Sequence, residues 1–353
     1  MERKTKQIMV GGVAIGGGAP LSIQSMANTK TTDVEATLCQ LHRLKEAGCH
    51  VARLTVPDEK AARAFGRIRR DSPLPLVADI HFDYKAAIWA AEEGADKVRI
   101  NPGNIGSDEK VGEVVRACRK QGIPIRIGVN GGSLEKDILA KYGAPTAEAL
   151  VESALSHVEK LHRWDFDDIC ISLKSSDVKT NIAAYRLMAE KTDYPLHLGV
   201  TEAGTRYMGT LKSAAAFGAL LLDDIGDTLR VSLTADPVRE VYAAKDILKA
   251  LGLNQEGATL VSCPTCGRTQ VDLIPIAEEV EQRLSGLKSR ITVAVMGCAV
   301  NGPGEARQAD LGVACGKGEG LLFSKGEILY KVPAHEIADA LAKEVSRLTG
   351  EQI

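Results

Sequence analysis

Residues 74–101 read LPLVADIHFDYKAAIWAAEEGADKVRIN, and this stretch decides the fold. It opens on an apolar, strand-like run that ends at Asp79 and His81. An alanine-rich segment of helical spacing follows from Tyr84, and Gly94 closes it. The run KVRIN then reads as a second strand in which charged and β-branched residues alternate. Strand, helix and strand in so short a space make one β/α unit with a parallel crossover.

Outward from this unit the same grammar recurs. Strand segments fall at 21–25, 50–55, 74–80, 97–101, 123–129, 169–173, 196–200 and 228–233. Helix-period segments lie at 33–47, 58–70, 84–93, 107–120, 146–162, 178–191, 205–222 and 237–251. Eight alternating units over about 250 residues fit an α/β protein of the TIM (β/α)8 barrel type. An open doubly wound sheet would carry a glycine-rich phosphate turn after its first strand. Here Gly11-Gly12 and Gly16-Gly17-Gly18 precede that strand, where they suit a hairpin at the barrel floor. Beyond residue 254 the order becomes strand, helix, strand and long loop, then three short strands near Gly312, Leu321 and Ile328, and a last helix at 334–348. The expected division is a barrel over 1–252 and a smaller α+β domain over 253–353.

Composition narrows the partners. The chain has 353 residues, 44 Lys plus Arg against 46 Asp plus Glu, and only 4% aromatic residues. Near-neutrality and scarce stacking platforms exclude nucleic acid as the main partner. The longest apolar stretch, 213–222, is about half a membrane span. The N-terminal MERKTKQIMVGG lacks the apolar run of a secretory signal. A cytoplasmic protein is expected, in which eight cysteines are not disulfides.

Four of those cysteines, Cys39, Cys49, Cys118 and Cys170, fall in barrel segments and are expected to be core packing. Cys263-Pro-Thr-Cys266 sits in a turn after a strand segment, and Cys298 follows in MGCAVNGPGE. A Cys-x-x-Cys turn with a distant third thiol suits an iron–sulfur cluster. A zinc site completed by Cys315, or a redox pair, are the competing readings. With three cysteines on a cubane one iron is left for another ligand, and Glu305 is the nearest oxygen.

At the C-terminal strand ends, where barrel chemistry sits, five strands end in a cation: Arg53, Arg99, Arg126, Lys174 and Arg230. Two end in a carboxylate, Asp79 and Glu202. Gln24, His81, Asn101, Asn130 and Ser232 complete the rim. Such an excess of cations suits a phosphate or diphosphate, with Glu202 as acid or base and His81 as an ordinary rim histidine. A Schiff-base role for Lys174 is the competing chemistry.

These segments resemble a known family. IQSMANT (23–29), VRINPGNIG (98–106), IRIGVNGGSL (125–134), SLKSSD (172–177), VTEAG (200–204), SCPTCGRTQ (262–270) and MGCAVNGPGEA (296–306) are similar to the motifs of the 4-hydroxy-3-methylbut-2-enyl diphosphate synthases. These are bacterial iron–sulfur enzymes of the non-mevalonate isoprenoid pathway. Ala27, Lys30 and Ser175 depart from the usual pattern. The resemblance implies reductive opening of 2-C-methyl-D-erythritol 2,4-cyclodiphosphate with loss of water, with electrons from flavodoxin or ferredoxin. It implies one 4Fe–4S cluster per subunit on Cys263, Cys266, Cys298 and Glu305. Arg53, Arg99, Arg126, Lys174, Arg230 and Ser232 would hold the substrate, with Asp79, Asn101 and Asn130 beside it and Glu202 as the acid. It further implies a homodimer in which each cluster domain caps the partner's barrel.

Overall fold

The computed structural model describes residues 3–254, 256–298 and 308–353. The chain forms two compact units, Met1–Leu251 and Gly252–Ile353.

The first unit opens with an antiparallel hairpin, β1 (Gln7–Val10) and β2 (Val13–Gly16). Gly11 turns it with φ +56, in the left-handed region that favours glycine. Eight strands follow: β3 (Ser22–Met26), β4 (Val51–Thr55), β5 (Leu76–Asp79), β6 (Lys97–Ile100), β7 (Ile125–Asn130), β8 (Ile169–Lys174), β9 (His197–Leu198) and β10 (Thr228–Leu229). They pair in parallel in the order β8-β7-β6-β5-β4-β3-β10-β9. The bridge Ile171↔Leu196 joins the ends and closes the ring.

Strand alternation explains what each side chain does. Val98 and Ile100 of β6, Ile125, Ile127 and Val129 of β7, and Ile169, Ile171 and Leu173 of β8 all enter the large core that includes the flanking helices. The residues between them do not. Lys97, Arg99, Arg126, Ser172 and Lys174 are buried on the other side of the same strands, within the barrel. At one level that interior is apolar: Ile8, Val10 and Ile15 of the hairpin pack with Val51, Val77 and Cys170.

Helix starts obey local chemistry. Asp33, Asp58, Asp177 and Asp236 each stand just before a helix and accept a hydrogen bond from a first-turn amide. Each such cap contributes about 0.5–2 kcal/mol. Two short helices, Pro102–Ile105 and Lys136–Tyr142, lie in segments too brief for helical periodicity to register. Strands β9 and β10 are shorter than their apolar runs suggested. Cys39 corrects an expectation: it is exposed, because its helix turns Thr37, Gln40, Leu41 and Leu44 inward.

The second unit is a sheet ordered β11-β12-β13-β14-β15, formed by Ala258–Ser262, Ile291–Met296, Leu311–Cys315, Glu319–Ser324 and Glu327–Pro333. Its first three strands run parallel, β14 pairs antiparallel with β13, and β15 pairs antiparallel with β14. Helices Leu273–Leu284 and Ile337–Thr349 bury Val280, Leu284, Leu341 and Val345 in its core. Among the described residues, no helix is long and apolar enough to cross a membrane.

The hairpin contact can be tested directly. Ile15→Ala removes a fully buried side chain, and the unfolding free energy should fall by roughly 2–5 kcal/mol. A chemical denaturation curve that moves by much less would mean that the hairpin does not support the barrel.

Candidate active site

The rim is organised by one carboxylate. Asp79, at the end of β5, is 2% exposed. Its Oδ1 lies 3.2 Å from Arg99 Nη1, and its Oδ2 lies 3.6 Å from Arg53 Nε and 3.9 Å from His81 Nε2. Burial pushes this carboxyl up, but Arg53, Arg99 and Arg126 outweigh burial and hold it well below the usual range. A second carboxylate, not apparent from the strand ends, comes from the helix Pro237–Ala250. Glu240 makes a two-pronged pair with Arg230, at 3.0 and 3.1 Å, and accepts from Ser25 Oγ at 2.9 Å and Leu233 N at 3.1 Å.

Against these two buried carboxylates stand all five rim cations. Burial lowers the Arg53 guanidinium and Lys174 ammonium well below their ordinary values, and each is pushed further down by the neighbouring cations. That mutual effect places Arg53, Arg99, Arg126, Lys174 and Arg230 in one electrostatic cluster. Arg126, fully buried, is pulled down to about 10 by burial and then by Arg99. It donates to Ser172 Oγ at 2.6 Å, while its Nε and Nη2, like Arg99 Nε, have no hydrogen-bond partner among the described residues. Met26 Sδ accepts from Arg53 at 2.9 Å.

Two glycines make room for this layout. A Cβ on Gly128 would come within 2.4 Å of Arg99 Nε, and one on Gly199 within 2.8 Å of Lys174 Nζ. Asn101 caps the short helix after β6 through Gly103 N and donates to Ser133 Oγ at 3.3 Å. Asn130, its amide oriented oxygen towards Arg99, accepts from Nη2 at 3.3 Å. Ser232 is half-buried. Glu202 is exposed, with φ +50, a left-handed conformation that costs a non-glycine residue energy. Among the described residues it forms no ion pair with the rim cations, and the carboxylate paired with Arg230 is Glu240.

In the second unit, Cys263 and Cys298 follow the adjacent parallel strands β11 and β12. Cys263 Sγ accepts from Gly297 N at 3.1 Å, the kind of amide–sulfur bond that supports a thiolate. The Cys266 turn is tied to the same place, since Gln270 N donates to Gly297 O at 3.0 Å. The Arg268 amide and side chain hold the exposed Cys266 thiol below its ordinary value. Buried Cys315 is pushed up to about 11, by burial and then by the nearby Cys263 and Cys298. Among the described residues, no three acidic, cysteine or histidine side chains close around a single-ion site. The soft thiol set and the amide donor fit a sulfur-ligated cluster. Glu305 lies outside the described residues.

A closed parallel barrel with a cationic C-terminal rim, followed by a separate cysteine-bearing sheet unit, defines a two-domain barrel protein built to receive an anion. The chain belongs to the GcpE family: residues 5–245 match the GcpE TIM-barrel domain and 259–347 the GcpE protein C-terminal domain. It is 60% identical to the 4-hydroxy-3-methylbut-2-en-1-yl diphosphate synthase (flavodoxin) of Geobacter sulfurreducens, over 100% of both chains. It is 58% identical to the protein of the same name from Bacillus pumilus, over 99% of this chain and 94% of that one. A truncated 3-deoxy-D-arabino-heptulosonate 7-phosphate synthase from Thermotoga maritima superposes with a TM-score of 0.51 at 16% identity, covering 70% of this chain and 94% of its own. That likeness concerns the fold alone.

Asp79 gives a pH signature. Its folded value is depressed, so its stabilising effect is complete above about pH 4, the ordinary carboxylate value, and is lost on acidification towards the depressed value. Asp79→Asn should cost about 3–5 kcal/mol at pH 7 by leaving Arg53 and Arg99 uncompensated, and its stability should fall less steeply between about pH 4 and pH 2. Parallel acid limbs for the two proteins in denaturant titrations would contradict the assignment.

Proposed function

We propose that this chain is a 4-hydroxy-3-methylbut-2-en-1-yl diphosphate synthase that reductively opens 2-C-methyl-D-erythritol 2,4-cyclodiphosphate and eliminates water. The observation that carries the reading is the convergence of five buried or half-buried cations on two buried carboxylates at the strand ends, in a chain so similar to synthases of that name.

The chemistry explains the surplus. Opening the ring breaks a carbon–oxygen bond to phosphate, and the freed oxygen keeps the electron pair. A hydroxyl leaves with a proton as water, and two electrons enter the carbon skeleton. The product diphosphate therefore carries one more negative charge than the cyclic substrate. Cations fixed in a low-dielectric barrel stabilise that developing charge without reorganising. In this reading Arg53, Arg99, Arg126, Lys174, Arg230 and Ser232 hold the diphosphate. Asp79 fixes the forks of Arg53 and Arg99, and Asn101 and Asn130 border the carbon skeleton. Glu202 protonates the departing hydroxyl or orients it, moving inward from its exposed position when substrate fills the mouth.

Cys263, Cys266 and Cys298 would hold a 4Fe–4S cluster, one per subunit, with Glu305 as the fourth ligand. Such a cluster supplies electrons singly and a Lewis-acidic iron. Residues 1–252 then serve as the substrate domain and 253–353 as the cluster domain. The chain acts in the cytoplasm as a homodimer, each cluster domain capping the partner's barrel. Flavodoxin, which the names of the relatives carry, is the electron donor, with ferredoxin as the other candidate.

Anaerobically purified protein supplied with reduced flavodoxin and the cyclodiphosphate should form the linear allylic diphosphate and contain about four iron and four sulfide per chain. Cys298→Ser should lose the cluster, and Glu202→Gln should keep it but lose about 10²–10⁴-fold in kcat. A Cys298→Ser protein as active as the parent would overturn the ligand assignment, and a metal-replete protein without turnover would overturn the function.

A further inference from the structure

Within the barrel lies a group of polar side chains that the reaction just described does not use. Lys97 is the first residue of β6 and is 0% exposed. It lies two residues before Arg99, so both side chains point into the barrel, about 7 Å apart along the strand. His197, the first residue of β9, is 0% exposed, and Gln24 of β3 is 1% exposed. Lys97 Nζ, both ring nitrogens of His197 and both side-chain amide atoms of Gln24 have no hydrogen-bond partner among the described residues. Buried polar atoms are almost always satisfied, and an uncompensated buried ammonium is costly.

The charges around Lys97 explain its state. It faces Arg53 from β4, Arg126 from β7, Cys170 from β8 and His197 from β9. The nearby hairpin contributes only apolar Ile8, Val10 and Ile15. Asp79, the carboxylate of β5, is engaged by Arg53 and Arg99. Burial, opposed by Cys170 and reinforced by Arg126 and Arg53, lowers the Lys97 ammonium to about 8. The full positive charges of Arg126 and Arg53 near it are therefore repulsive, and among the described residues no carboxylate pairs with Lys97 to offset them.

We propose that Lys97 is a positioning cation of the anion site: it takes a proton from solvent when a diphosphate binds among the arginines above it, and so matches the charge of the barrel to that of its ligand. The argument rests on the diphosphate reading of the rim. A dianion held by Arg53 and Arg126 neutralises the two groups that repel the Lys97 ammonium, and the protonated form then becomes the favoured one. Lys97 thereby responds to ligand charge through the arginines without touching the ligand.

A cyclic diphosphate is suited to the test, because both of its acidic groups are ionised throughout the neutral range and it is not turned over without a reductant. Proton uptake on binding is read from calorimetric titrations in buffers of different ionisation enthalpy, at pH 7 and pH 8.5. At pH 8.5 the wild-type protein should take up about half a proton more per site than Lys97→Met, and at pH 7 the difference should shrink to roughly a tenth. His197→Gln should leave that alkaline uptake unchanged. Uptake from Lys174, whose ammonium is also held well below its ordinary value, would survive in Lys97→Met. Equal uptake by Lys97→Met and wild type at pH 8.5 overturns the proposal, whereas failure of the cyclodiphosphate to bind at all overturns the diphosphate reading beneath it. Should the methionine variant not fold, lysine side-chain carbon resonances of the wild-type protein decide the matter. One must titrate near pH 8 in the free protein and move upward with ligand; none doing so overturns the proposal.

Discussion

Burying several cations in a barrel with too few anions to match them is the constraint on which the rest of this molecule depends. A charge taken out of water is costly unless it is paired and hydrogen-bonded. Asp79 meets part of that cost by pairing with both Arg53 and Arg99, and Glu240 meets another part by pairing with Arg230. Arg126 Nε and Nη2, Arg99 Nε and Lys97 Nζ have no hydrogen-bond partner among the described residues. The interior is thus held in a state that an anion completes.

Surrounding features follow from that arrangement. The apolar cluster of the hairpin with Val51, Val77 and Cys170 supplies packing that the polar interior cannot. Gly128 and Gly199 leave the space through which Arg99 and Lys174 lie across neighbouring strands. Around the barrel, the outward faces of β6, β7 and β8 pack a continuous aliphatic layer against the helices. That layer provides the rigidity a preorganised charged site requires. In the second unit, β11 and β12 bring Cys263 beside Gly297 and Cys298, and the Cys266 turn is bound to the same backbone.

Much of this was legible in the residues. The strand and helix sequence followed from period-two runs such as KVRIN and from the helical spacing between them, because both signals are local. The rim cations were legible because charged residues alternate with aliphatic ones in strands whose other face must be buried. Glu240 was not, since it occupies one position of an amphipathic helix and only the tertiary fold brings it to Arg230. Lys97 and Gln24 show the same limit, because alternation indicates which face a residue occupies and not how deep it lies. Cys39 was misread because cysteine is usually buried, whereas its helical phase sets it opposite Thr37 and Leu41. Glu202 was placed at the mouth by its strand, but its exposed, left-handed conformation could not be read from VTEAG.

The most direct test of the central claim is a crystal structure of the protein with the cyclodiphosphate bound in the absence of reductant. The account predicts diphosphate oxygens within hydrogen-bond distance of Arg53, Arg126, Lys174 and Arg230, with Asp79 still holding Arg53 and Arg99. A diphosphate seated away from the strand ends, or one bound there while those four side chains keep only their protein partners, would contradict it.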